Sequence, residues 1–153
     1  QLTQRPVTTL AMVFGILAVL GVLMPWHAHI AEEPGQAARL VSCQRGYDSE
    51  FHGLVTLITA AVATVLTAWF VAKRTSPALS RGLLISAATL FAVGVVLTIL
   101  DVSGPAPSRT FMHGTEQVTE GRAFGVFLTL GACAGAFLMT AVSVLSPKTP
   151  YRD

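Results

Sequence analysis

Charged side chains are scarce in this sequence. Asp, Glu, Lys and Arg make up 12% of its 153 residues, about half the share found in an ordinary soluble domain. They are absent altogether from residues 7–25, 53–72, 82–100 and 123–145, and these stretches hold no histidine either. Transporters that couple to protons or ions normally keep an ionisable group at membrane depth. Its absence argues against a proton-coupled exporter of the small multidrug kind, and against a b-type haem slung between histidines inside the spans. Cysteine is nearly missing too. Cys43 and Cys133 are the two in the chain, too few and too far apart for the cysteine pairs of a disulfide-exchanging quinone enzyme. Cys133, in the middle of an apolar run, behaves as a small hydrophobe.

What is abundant is unbroken hydrophobicity, at 52% of the chain. An amphipathic soluble helix would interrupt such runs every few positions. Each run is close to the 20 or so residues that cross a hydrocarbon layer about 30 Å thick. Backbone groups in lipid must bond within their own segment, and helices do that. The chain is therefore expected to be an all-α integral membrane protein: a four-helix bundle forming one membrane domain, with helices at about 7–25, 53–72, 82–100 and 123–145. The connecting segments would be outer loops 26–52 and 101–122 and a cytoplasmic loop 73–81. The first run reads as a span, not a signal peptide, because it is long and ends in Pro25-Trp26-His27, a poor cleavage context. The lipobox-like Leu40-Val41-Ser42-Cys43 lies too far beyond that run to be processed with it.

The few charges are sorted by side. Arg5, Lys73, Arg74, Arg81, Lys148 and Arg152 fall on one side of the four-span arrangement with Asp153. Arg39, Arg45, Arg109 and Arg122 fall on the other with Glu32, Glu33, Asp48, Glu50, Asp101, Glu116 and Glu120. The positive-inside rule then puts both termini in the cytoplasm. The basic residues act as topology signals, and nucleic acid is not expected as a partner. Trp26 and Trp69 stand at run ends, where an interfacial belt and plain packing are equally good explanations.

The two halves read as tandem helical hairpins. Glu50-Phe51-His52-Gly53 opens the second helix much as Glu120-Gly121-Arg122-Ala123-Phe124-Gly125 opens the fourth, as if two copies were related by an axis along the membrane normal. Helices gain little hydrophobic energy by leaving lipid for one another, so close approach through small residues must hold them. Candidate packing positions are Ala11 and Gly15 on the first helix and Gly121, Gly125, Gly131 and Gly135 on the fourth. A ridge of Thr56, Ala60, Thr64 and Ala68 marks the second. These faces either hold the bundle together or dock it onto a partner.

All histidines lie in the outer segments: His27, His29, His52 and His113. Three of them could meet at one level, and imidazole binds metal ions or haem iron, with Met112 and Cys43 as possible soft ligands. Their spacing fits no strict metal motif, and exposed interfacial histidine is the plain alternative. Glu33-Pro34-Gly35 and Ser103-Gly104-Pro105-Ala106-Pro107 predict turns that shorten the outer loops. The outer acids could face a basic partner, or simply be solvated.

A helix ending in Pro25-Trp26, an outer loop, an acid and then Gly53 opening the next helix together resemble small four-span proteins of bacterial inner membranes. The resemblance covers most of the chain in topology and implies that localisation, but no activity. The expected function is a non-catalytic accessory or structural subunit of a larger inner-membrane complex, with the respiratory or photosynthetic electron-transfer assemblies as its class. It would bind no cofactor itself, and its partners would be the lipid bilayer and other transmembrane subunits. The alternative is a redox protein that holds a metal ion or haem through the outer histidines. A small pore or carrier is the third class, though nothing here resembles a selectivity filter.

Overall fold

The computed structural model describes residues 4–32, 35–48, 50–72, 77–104, 111–113 and 116–146. Four helices, α1 Gln4–Leu23, α2 Glu50–Ala72, α3 Pro77–Ser103 and α4 Phe124–Leu145, dominate it. All four are long and apolar enough to cross a membrane. They pack as a ring, α1 against α2 and α4, and α3 against the same two.

The helix ends have local causes. Pro25 has no N–H to continue α1, so that helix stops at Leu23, and Met24 N–H closes it on Leu20 O at 3.1 Å. Pro77 stands at the first position of α3, where its missing donor costs nothing. That helix is longer than the apolar run it contains and takes in both Arg81 and Asp101. Ser146 ends α4, its N–H and hydroxyl both donating to Val142 O.

The bundle interior is built from small residues meeting large ones. Gly15 faces Thr64 and Phe91, Gly94 faces Cys133, and Gly135 lies against the Phe14 ring. A Cβ on Gly21 would stand 2.5 Å from Thr129 Oγ1, and one on Gly125 would stand 2.5 Å from Pro25 O. Ala11, Ala18, Ala60, Ala63, Ala87, Ala132 and Ala136 fill the remaining seams. Interior hydroxyls are satisfied locally. Thr56, Thr67, Thr98, Thr129 and Thr140 each donate to the carbonyl four residues back. This is the usual accommodation of threonine in an apolar helix. Thr8 and Ser143 add a buried hydroxyl pair between α1 and α4 at 3.3 Å.

The segments expected as turn-rich outer loops build something the hydropathy does not announce. Strands β1 Pro25–Glu32 and β2 Arg39–Arg45 come from the first of them. The second supplies β3 Phe111–His113 and β4 Glu116–Arg122. Together they form one antiparallel sheet in the order β2-β1-β4-β3, so an all-α description covers the membrane-length helices only. Of the expected turn between β1 and β2, Glu33 and Pro34 lie outside the described residues, and Gly35 has φ +87°, a conformation that favours glycine. Of the second expected turn, Pro105 to Pro107 lie outside the described residues.

The element order, helix–strand–strand–helix, occurs twice. The helix ring is compatible with a two-fold axis relating the halves. The sheet is not, because such an axis would carry the β1–β4 pair onto β3–β2, and those strands do not pair.

Candidate functional site

The sheet meets the bundle through Trp26. This residue follows Pro25 in β1 and its indole is fully buried, with Val22 and Val126 packed beside it. Indole Nε1 donates to Gly21 O at 3.1 Å, which satisfies the one polar atom of the ring. Gly46, in the 3-10 turn Gly46–Asp48 before α2, lies flat on the indole. Any Cβ there would stand 2.5 Å from the ring and 2.6 Å from Val22 O. The Trp26 carbonyl accepts the N–H of Ala123 at 2.6 Å, just ahead of α4. Of the two explanations open for Trp26, packing is the one the structure displays. Trp69 is different, 47% exposed near the other end of the bundle.

Beside Trp26, three ionisable side chains from three elements converge. His27 of β1 places Nε2 3.8 Å from Asp101 Oδ2 in the last turn of α3, with side chains 11% and 13% exposed. Arg122 of β4 is the register partner of His27. Its guanidinium donates to Asp101 O at 2.9 Å and to Gly104 O at 2.8 Å. A cation on the free carbonyls at a helix C-terminus is favourable, because the macrodipole is negative there. Arg122 therefore caps α3 and offsets the unfavourable carboxylate of Asp101 at the same end. Asp101 Oδ2 and Arg122 Nε are buried and make no hydrogen bond. Each such atom costs about 1–3 kcal/mol if left so. The cluster can hold a charge, bind the sheet to α3, and pair His27 with Asp101 when the imidazole is protonated.

The other candidates are dispersed. His29 is half-buried on β1, in register with Ser42 on one side and Glu120 on the other. His52 lies in the first turn of α2, half-buried, and its carbonyl accepts the Thr56 hydroxyl at 2.7 Å. His113 pairs with Glu116 in the sheet, and its side chain, like that of Met112, lies outside the described ones. Among the described residues no three His, Cys, Asp or Glu side chains come together as a metal site.

Of the glycines read as a packing face, Gly15, Gly125 and Gly135 sit in helix contacts, and Ala11 is fully buried. Gly121 is not helical. It belongs to β4, opposite Ala28. Gly131 faces outward, with nothing within 4 Å of where its Cβ would be.

Asp101 and Arg122 escaped notice as site residues because they read as two more solvated loop charges. A signal was available: one directly follows an apolar run and the other directly precedes the next, so two antiparallel helices bring opposite charges to the same boundary.

Comparison of the sequence with protein-family models and with curated proteins gives no match. The fold is compatible with a multi-pass membrane protein: four helices long and apolar enough to cross a membrane, with a β-sheet over one end of them.

Proposed function

We propose that this chain is a non-catalytic subunit of a larger assembly in a bacterial inner membrane, with both termini cytoplasmic and the sheet on the outer face. The observation that carries the reading is β2. Every residue of this strand except Gln44 is exposed, on both faces, including Leu40 at 62% and Val41 at 54%. The sheet lies outside the apolar spans, so lipid does not account for these side chains. An open strand edge with apolar residues on it is a place for another chain to pair or pack. The outward Gly131, set among exposed Phe127 and Leu138 on α4, adds a notch where a second helix could approach closely. The proposed host is a respiratory or photosynthetic electron-transfer complex, on the class-level ground that small helical subunits recur in such assemblies.

The test is extraction in a mild detergent followed by native sizing and mass spectrometry. The wild-type chain is expected to travel with larger partners, and Val41→Lys and Gly131→Trp to release it without loss of helical circular dichroism. A wild-type chain that runs alone at its own mass contradicts the proposal. One rival is a metal or haem protein using His27, His29, His52 and His113, although no three-residue metal site forms among the described residues. That reading requires metal, or a Soret band, in the purified chain that disappears in His27→Ala.

A further inference from the structure

Between α3 and α4 an apolar groove of about 360 Å³ opens to the surface, lined by Ile85, Ala88 and Ala92 on one side and Phe137, Ala141 and Val144 on the other. Its one polar side chain, Thr89, spends its hydroxyl on Ile85 O at 3.0 Å. From Ile85 to Ala92 the groove rises about 10 Å at the helix pitch, well within one leaflet of a hydrocarbon core about 30 Å thick. A partner helix would want a longer seam, whereas part of a single acyl chain can lie in a groove of this length.

Arg81 stands one turn before Ile85. On a helix, residues four apart share a face, which sets Arg81 on the groove side of α3, one turn outside the lining residues. It is exposed, and among the described residues it has no acidic partner. In the sequence, the segments that adjoin these helix ends hold Arg5, Lys73, Arg74, Arg81, Lys148 and Arg152 against Asp153 alone. Arg81 also sits at the edge of the apolar run, the depth at which phospholipid phosphates lie. Guanidinium matches phosphate geometry with two parallel donors, and basic pockets between spans hold anionic headgroups.

We propose that Arg81 and the α3–α4 groove form a binding site for one anionic phospholipid, its phosphate on the guanidinium and one acyl chain between Ala88 and Ala141. The test is native mass spectrometry of the purified full chain, titrated with phosphatidylglycerol and with phosphatidylcholine of the same acyl chains. The first phosphatidylglycerol should bind about fivefold tighter than the first phosphatidylcholine, the preference expected of one basic residue at the membrane surface. Arg81→Gln should abolish that preference and Arg81→Lys should keep most of it. Ala141→Phe, which fills the groove, should weaken both lipids. Inorganic phosphate should not displace the bound lipid, because the chain in the groove holds it as well. Equal binding of the two lipids by the wild type, an unchanged preference in Arg81→Gln, or full displacement by inorganic phosphate would overturn the proposal.

Discussion

Trp26 holds four elements at once: its Nε1 grips α1, its ring supports Gly46 ahead of α2, its carbonyl anchors the start of α4, and its own backbone belongs to β1. Truncation should therefore cost both packing and connection. Trp26→Ala is expected to destabilise the protein by about 3–5 kcal/mol, the range for losing a buried aromatic side chain, measured as unfolding in detergent micelles. Arg122 is the second residue of this kind. Arg122→Met keeps the length and apolar stem of the side chain but loses two donors to the α3 carbonyls, and should cost about 1.5–3 kcal/mol, as for hydrogen bonds to charged groups. His27→Asn, which leaves that cap in place, should cost less in the same assay. A larger loss for His27→Asn than for Arg122→Met would show that the cap is not what fastens the sheet to α3. The sequence made Trp26 visible, but with two explanations of equal weight. Nothing in a single chain says which carbonyl an indole will reach, because Gly21 and Gly46 become its neighbours only after the fold has formed.

At the scale of elements, the helices were legible and the sheet was not. Apolar length alone specifies a helix in lipid, because no other local structure satisfies the backbone there. Helix ends were less legible, since α3 runs past its apolar core at both ends to include Arg81 and Asp101. The strands carry no comparable signal. Residues 25–32 alternate poorly and 39–45 are nearly all exposed, so period-two patterning is weak. The central pairing joins β1 to β4 across most of the length of the chain, a non-local contact that neither segment encodes by itself. Gly15, Gly125 and Gly135 lie against neighbouring elements while Gly131 faces open space, and spacing alone cannot tell an inward glycine from an outward one. That difference gives a prediction. Gly15→Val must displace Thr64 and Phe91 and should destabilise the isolated bundle by about 1–3 kcal/mol, as overpacking does. Gly131→Val should leave the stability of the isolated chain within about 0.5 kcal/mol, as for surface changes elsewhere. Equal losses at the two positions would mean that Gly131 is packed within the bundle.

For the whole molecule, the charges and the fold point the same way. The strands that close one end of the helix ring come from the acid-rich segments. The opposite end gathers Ala72, Pro77 and the helix termini Gln4 and Leu145, which in the sequence adjoin the basic residues. The proposed four-span arrangement expects such a division, with an aqueous domain on one side of a membrane and short basic connections on the other. The two cysteines make the division measurable. Cys43 is exposed on β2 and Cys133 is buried in α4, so a membrane-impermeant maleimide should read Cys43 alone. Ala78, exposed in the first turn of α3, offers a reporter at the other end. In intact cells whose outer surface is open to the reagent, Cys43 should label at once, and position 78 in the Ala78→Cys variant only after the membrane is permeabilised. Labelling of both positions from the same compartment would contradict four spans crossing in alternation.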